Sequence, residues 1–378
     1  MKITGVRTTP LFLPYKQPYH WAFDVVEGAE IVLVAIETDA GVTGYGECCC
    51  VPDGASIRQM LARVTPSLIG VDAFAIAATV ERLHRSFFAS CGPGNQRRLS
   101  NQVLCGIELA LWDAVGKALG QPVYNLLGGP VRDDVAYFGF VQGDGPAEVG
   151  ASAGALAERG FEVIYAKVGR GDAIDLANVR AIREAIGDKR LRLDANEAWD
   201  TLTARRMVEK LRPFGIEFLE QPSPSESPAA LARVRKALDV PIAADQLVMT
   251  PSDVFEVCRH EAADVIVLGL HEVGGILGLR KAAAVAESAG LSICLHGVYE
   301  SGITTCASNV AAATIPNLDD GNQLMIELLA DDIVGSPKLY PVLGRLAVLD
   351  GPGLGFDLDM DAVGRGAERW RKRHGVPA

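Results

Sequence analysis

Nothing in this chain of 378 residues approaches the roughly 20 consecutive apolar residues that a membrane-spanning helix needs, so no such span is expected. Positive charge is also in deficit. The formal net charge is −11, and phosphate contacts need clustered lysine and arginine, so nucleic acid is excluded as an expected partner. The basic stretch Arg369–His374 is short and reads as a solvated helix end. No zinc-type Cys-x-x-Cys pair occurs. Of the eight cysteines, Cys48, Cys49 and Cys50 are consecutive and the others lie scattered in apolar segments. That pattern argues for buried free thiols rather than a disulfide framework. The opening stretch MKITGVRTTPLFLPY alternates, is broken by proline and has no apolar signal core, so a cytoplasmic location is expected. What remains is an ordinary soluble composition, 49% hydrophobic and 22% charged, on a chain long enough to bury a large core.

Residues 1–50 read as a small antiparallel sheet. Ile3–Leu13 alternates, Glu30–Thr38 is rich in β-branched residues, and Val42–Glu47 returns after the turn Asp39-Ala40-Gly41. Between the first two strands, Pro14–Gly28 is aromatic, rich in turn formers and too long for a tight turn; a functional flap is expected there. Residues 56–119 carry the helical period, with a break at Cys91-Gly92-Pro93-Gly94-Asn95. These parts predict an α+β capping domain over residues 1–130, closed by Leu126-Leu127-Gly128-Gly129-Pro130. From Val135 short apolar strands alternate with amphipathic helices. Strands are predicted near 135–140, 163–168, 190–194, 216–220, 241–245, 264–268 and 292–296. Helices are predicted near 147–159, 173–186, 201–211, 228–238, 252–259, 275–289 and 301–313. Successive βα units predict a modified (β/α)7β barrel over residues 131–335, with its site at the C-terminal rim; a doubly wound open sheet is the alternative. Leu346–Leu358 reads as a strand-turn-strand piece, and residues 336–378 are expected to return to the capping domain.

The strand Ile216–Glu220 ends on a carboxylate and is stopped by Pro222. The strand before it runs through Leu191–Leu193 and ends on Asp194; the strand after it runs through Pro241–Ala244 and ends on Asp245. The three acids lie roughly 25 residues apart, one strand-plus-helix unit, so a barrel would gather them at one point of its rim. A single strand-end carboxylate can simply cap the next helix. Three together repel one another unless a cation sits among them, and oxygen-only ligands suit Mg2+ first and Mn2+ second. By strand alternation Tyr165 and Lys167 face the barrel interior. A partly desolvated lysine beside a dication would have a lowered pKa and could act as a base near neutral pH; the competing reading is a structural lysine paired to one of those carboxylates. The seventh strand ends at His296, roughly across the barrel, with Glu300 shortly after it, so a lysine and a histidine would flank the substrate. His271 is a weaker candidate, and His84, His260 and His374 have no such placement. The flap residues Tyr19-His20-Trp21 and a second loop, Cys48–Gly54, are expected to close over the rim and to favour a partly apolar ligand.

These residues resemble the enolase superfamily, in its mandelate racemase and muconate-lactonizing branch. The likeness spans nearly the whole chain, through GVTGYGE (41–47), IELALWDAVGKALGQPVYNLLGG (107–129), YAKVG, RLDANEAW, EFLEQP, PIAADQ, EVGGI and GPGLG (351–355). The resemblance implies that Asp194, Glu220 and Asp245 bind Mg2+, that Lys167 removes the proton α to a small carboxylate, and that Asn196 lies near that carboxylate. It also implies a homo-oligomer. Dehydration, racemisation or epimerisation, and cycloisomerisation all fit, as does a member that binds a metal and a carboxylate without turnover. Three positions depart from the family pattern. Tyr165 stands where the first lysine of a Lys-x-Lys motif is usual, Gln246 where glutamate is frequent, and Gly269 where a lysine, or an aspartate orienting His296, is usual. On this reading Tyr165, Asn196, Glu300, His20 and Trp21 contact substrate, and His296 lacks its usual carboxylate partner.

Overall fold

The structure, a computed structural model, describes residues 1–51, 53–88 and 96–376. The expected helix break at 91–95 lies outside them. The chain opens with a three-stranded antiparallel sheet, β1 (Ile3–His20), β2 (Val25–Thr38) and β3 (Thr43–Cys49), in the order β1-β2-β3. Four helices follow: α1 (Gly54–Val64), α2 (Ile76–Leu83), α3 (Gln96–Leu119) and the short α4 (Val123–Leu126). Helix α3 lies on β3 at backbone distance. A Cβ at Gly44 would stand 2.1 Å from the Ala110 carbonyl oxygen, and one at Gly46 would stand 2.3 Å from that of Gly106. The glycines of GVTGYGE are therefore packing residues.

The predicted flap is mostly strand. β1 runs on to His20 and β2 already begins at Val25, so Pro14–Gly28 forms the end of a long hairpin arm with a register shift between Pro14 and Tyr19. Proline is tolerated there because β1 is an edge strand and the shift interrupts the ladder where Pro14 and Pro18 would otherwise have to donate. Cys48 and Cys49 belong to β3 and Gly54 opens α1, so the second expected loop shrinks to the few residues between them. All described cysteines are free thiols.

The second part begins with β4 (Asp134–Ala136) and β5 (Gly139–Phe140) and alternates α5 (Pro146–Glu158), β6 (Val163–Lys167), α6 (Asp172–Ile186), β7 (Arg190–Asp194), α7 (Thr201–Leu211), β8 (Phe218–Glu220), α8 (Pro228–Lys236) and β9 (Ile242–Ala244). It continues with α9 (Pro251–Arg259), β10 (Val265–Gly269), α10 (Leu270–Val273), α11 (Ile276–Ser288), β11 (Ser292–His296) and α12 (Gly302–Ala312). Asp200, Ser227, Thr250 and Ser301 cap α7, α8, α9 and α12 through side-chain oxygens that accept backbone N–H groups. Strands β5 to β11 form one parallel seven-stranded sheet in sequence order, which excludes the doubly wound alternative, whose strand order reverses.

Residues 317–323 close this sheet into a barrel. On one side the amides of Ile293 and Asp319 bond Asn317 and Ile293 carbonyls at 2.9 and 2.7 Å, and on the other the Phe138 amide bonds the Asn322 carbonyl at 2.9 Å. Arg192 fastens the interior floor. It is 1% exposed, reaches Glu217 at 2.6 Å and Asp319 at 2.5 Å, and stacks on Phe218.

The tail adds β12 (Val334–Ser336), β13 (Arg345–Ala347), β14 (Asp357–Leu358) and α13 (Met360–His374). The expected strand-turn-strand piece is not a hairpin: β13 pairs with β4, and β14 pairs with β12. Leu354 meets Asp113 of α3, and Trp370 of α13 donates to Glu30 of β2 at 2.9 Å.

Candidate active site

The parallel register sets Lys167 level with Asp194 and Asp194 level with Glu220, at the C-terminal ends of β6, β7 and β8. Asp245 follows β9 directly. One oxygen from each of Asp194, Glu220 and Asp245 lies within 4.8 Å of the others, and the three side chains are buried. Burial, and then the neighbouring carboxylates, push Glu220 and Asp245 above the usual carboxylate range. Asp245 Oδ1 is buried without a hydrogen-bond partner among the described residues. A buried, all-oxygen, mutually repelling donor set with an orphaned oxygen fits a hard divalent cation.

The turns behind these acids hold them in place. Asn196 and Glu197 follow Asp194 with φ of 43° and 66°, and Gln221 follows Glu220 with φ of 32°. Such left-handed backbone is uncommon outside glycine. Here it lets the Asn196 amide donate to Asp194 Oδ1 at 2.7 Å, while the Asp245 amide donates to the Gln221 side chain at 3.0 Å. Gln246 donates to Asp245 Oδ2 at 2.5 Å.

Tyr165 lies with its hydroxyl 2.6 Å from Asp194 Oδ2 and 3.0 Å from Glu220 Oε1, its ring stacked on Phe138 at 4.3 Å. A phenol has one proton and can donate fully to one of those oxygens at a time. Lys167 Nζ also donates to Asp194 Oδ2. Burial disfavours its charge, but Asp194, Tyr19 and Glu220 outweigh burial and hold the ammonium above its ordinary range. The fall expected from the sequence is therefore not produced by these neighbours alone; it needs positive charge among the carboxylates.

His296 has the carboxylate partner that the sequence seemed to deny it. Its Nε2 lies 2.5 Å from Glu272 Oε2, on α10, and 3.3 Å from Asp245 Oδ1. Gly269 explains how: it pairs with His296 across the parallel ladder, and a Cβ there would stand 2.6 Å from His296 Nε2. The missing side chain is the space that the imidazole fills. Arg98 of α3 forms an ion pair with the other oxygen of Glu272.

These groups line one cavity of about 480 Å³, together with Tyr19, Trp21, Phe23, Val51, Asn196, Tyr299, Gln323 and Met325. Tyr19 and Trp21 thus bring the hairpin arm over the rim. His20 does not line the cavity, and its Nδ1 faces Asp144 at 3.4 Å. Glu300 is also off the cavity wall. It is buried behind the wall, accepts the Val298 amide at 3.1 Å, and is pushed upward mainly by burial. His271 is buried too, bonded to Thr304 at 2.8 Å and lowered to about 3 by burial, so it is neutral. Another depression, of about 540 Å³, lies beside α8 and α9, where Arg235 is paired to Asp264 at 2.6 Å, and no comparable cluster converges there. Glu272, Arg98 and Tyr19 escaped the sequence reading. The faint signal for Glu272 was Gly269, a small residue opposite a rim histidine.

Residues 3–128 match the family model for the mandelate racemase / muconate lactonizing enzyme N-terminal domain, and residues 148–362 match the enolase C-terminal domain-like family. Muconate cycloisomerase 1 of Rhodococcus opacus is 35% identical over 96% of this chain and 98% of its own. The L-Ala-D/L-Glu epimerase of Bacillus subtilis is 33% identical over 86% of this chain and 90% of its own. The crystal structure of muconate lactonizing enzyme from Pseudomonas fluorescens, complexed with muconolactone, superposes with a TM-score of 0.90 at 33% identity, covering 97% of this chain and 99% of that one.

Proposed function

The chain belongs to the mandelate racemase / muconate lactonizing enzyme branch of the enolase superfamily, and from that premise we propose that it is a Mg2+-dependent enzyme that removes the proton α to a small carboxylate. The outcome is an isomerisation, by racemisation, epimerisation or cycloisomerisation. The observation that carries the reading is one cavity in which three convergent carboxylates lie between Lys167 and His296. Asp194, Glu220 and Asp245 would hold the ion, which supplies positive charge against the substrate carboxylate and the negative charge that grows as the proton leaves.

Lys167 takes the α-proton at Nζ. Tyr19, whose hydroxyl lies beside Lys167, and Trp21 exclude water from that exchange. His296, steadied by Glu272, holds or delivers a proton on the opposite side of the substrate, which racemisation and epimerisation require. Elimination of a β-hydroxyl would use the same pair with His296 as acid. A binder without turnover is disfavoured because lysine, histidine and acids are all in place. The free thiols of the described cysteines support a cytoplasmic location, and a homo-oligomer follows from the resemblance.

The test is exchange of the α-proton in deuterated water with a panel of small carboxylic acids and Mg2+. Exchange with at least one acid is expected, and Lys167→Ala should slow it by about 10²–10⁴-fold, the usual worth of a positioned base. His296→Asn should stop product formation while leaving exchange. No exchange with any acid, while metal still binds, would leave only the binding role.

A further inference from the structure

The wall of the cavity opposite Lys167 carries a guanidinium that the proton chemistry does not use. Arg98 comes from α3, in the capping domain, and reaches the barrel rim at α10, after the sixth parallel strand. In an eight-stranded barrel that strand faces the second, which bears Lys167. Arg98 is the only arginine among the residues lining the cavity.

Its donors are under-used. One terminal nitrogen meets Glu272, while Nε is buried with no hydrogen-bond acceptor among the described residues. A guanidinium presents five N–H donors in a planar fork, so the ion pair with Glu272 leaves most of them unengaged. Glu272 also fixes the fork in position, so little side-chain entropy remains to be lost when a ligand arrives. Between Arg98 and the metal-suited acids, Trp21, Phe23, Val51, Val298 and Met325 make much of the lining apolar. A ligand that satisfies this cavity has an acidic group at the three carboxylates' ion, a hydrocarbon spacer, and a second group that accepts from a guanidinium.

We propose that Arg98 is a specificity-determining residue that binds a second carboxylate on the substrate, so that the enzyme acts on dicarboxylates. The proposal rests on the reading of the cavity as a Mg2+-dependent carboxylate site. A carboxylate fits better than a neutral amide because it takes two parallel bonds from the fork and adds charge to them. It also joins a site where Glu272 is shared by Arg98 and His296, so the guanidinium is not committed to one anion.

The experiment measures binding to the Mg2+-loaded full chain by calorimetry. The probes are succinate, glutarate, adipate and pimelate, each against the monocarboxylate of equal chain length and against the half-amide of the same diacid. In the wild type at least one diacid should bind about tenfold or more tightly than both its monocarboxylate and its half-amide, as a charge-assisted bidentate contact allows. Arg98→Met should abolish that preference and leave monocarboxylate binding within about twofold. Removing Arg98 strands a buried Glu272. The double variant Arg98→Met/Glu272→Gln therefore provides a second protein of neutral balance, in which the preference should likewise be absent.

A preference that survives in both variants, equal binding of diacids and monoacids, or half-amides that match the diacids each overturn the role of Arg98 while the carboxylate site stands. Absence of Mg2+-dependent binding by every acid overturns the carboxylate site itself, and the proposal with it.

Discussion

Tyr165 shows how one substitution alters a metal site without removing a ligand. A lysine at this position would bring a second cation beside Lys167. The tyrosine brings a neutral hydroxyl that touches Asp194 and Glu220 and is itself held by stacking on Phe138. Its work is orientation of the ligands. Tyr165→Phe keeps the ring and its packing but releases two carboxylate oxygens, so Mg2+ affinity should fall about 10- to 100-fold, the usual range for an outer-shell partner. Titration calorimetry checks this directly, and an unchanged affinity would remove the orienting role. Gly269 sets a second limit at this scale. Gly269→Ala puts a methyl 2.6 Å from His296 Nε2 and 3.4 Å from Glu272 Oε2, so the ring must move. The overpacking should cost about 1–3 kcal/mol of stability in urea unfolding. The chemical readout is selective: the step assigned to His296 should slow more than α-proton exchange at Lys167. Equal slowing of both would mean a general distortion of the rim. The ligands themselves were legible because they end apolar strands before turns. Glu272 and Arg98 were not, because their meeting depends on the packing of α3 against α10, and nothing in local sequence spacing encodes that distance.

At the scale of elements, two buried glutamates fasten the capping domain to the barrel by sitting on helix N-termini. Glu47 of β3 accepts the amides of Ser301 and Thr304 at 3.1 and 2.9 Å, at the start of α12. Glu108 of α3 accepts the Leu277 amide and the Trp112 indole N–H, both at 2.9 Å, at the start of α11. Helix N-termini favour negative charge, yet burial dominates and raises Glu108 to about 7. The folded protein therefore holds a proton on Glu108 that the unfolded chain, with an ordinary carboxylate, has already released. Stability contributed by this group is full below the ordinary value of 4.5 and is lost as pH rises towards about 7. The effect is up to about 3 kcal/mol for a shift of that size. Glu108→Gln retains the accepting oxygen and should flatten the fall in unfolding free energy between about pH 5 and about pH 8 relative to wild type. Parallel pH profiles for the two proteins would mean that the glutamate stays ionised. Elements were the most readable level of the sequence. The helical and strand periods of the barrel located its βα units because each strand is buried on one side by the helix that follows it. The hairpin arm was misread because Pro14 and Pro18 look like strand breakers, and only the edge position of β1 makes them tolerable.

For the whole molecule, the decisive fact is that neither part builds the cavity alone. The barrel supplies Lys167, the three acids and His296, while the capping domain supplies Tyr19, Trp21 and Arg98. The alternation of strand and helix made the barrel legible, but the face of the capping domain that meets it depends on contacts between residues hundreds of positions apart, such as Glu47 with Thr304. The rim also couples metal, proton and fold. Burial and mutual repulsion hold Glu220 and Asp245 above their ordinary range, so the folded state resists their ionisation. A divalent cation reverses that balance, because it needs the ionised carboxylates and displaces protons from them. Added Mg2+ should raise the melting temperature, with stabilisation of about 2.7 kcal/mol at a hundred times its dissociation constant. The increment should grow with pH between about 5 and about 8, because fewer protons then compete for the ligands. Asp245→Asn removes one charge from the cluster. It should make the metal-free protein at least as stable as wild type at about pH 8, because a repelling buried charge is gone, and should abolish most of the response to Mg2+. Thermal unfolding of both proteins with Mg2+ and with chelator measures all of these quantities. A variant that is clearly weaker without metal, yet still responds fully to Mg2+, would place the ion away from Asp194, Glu220 and Asp245.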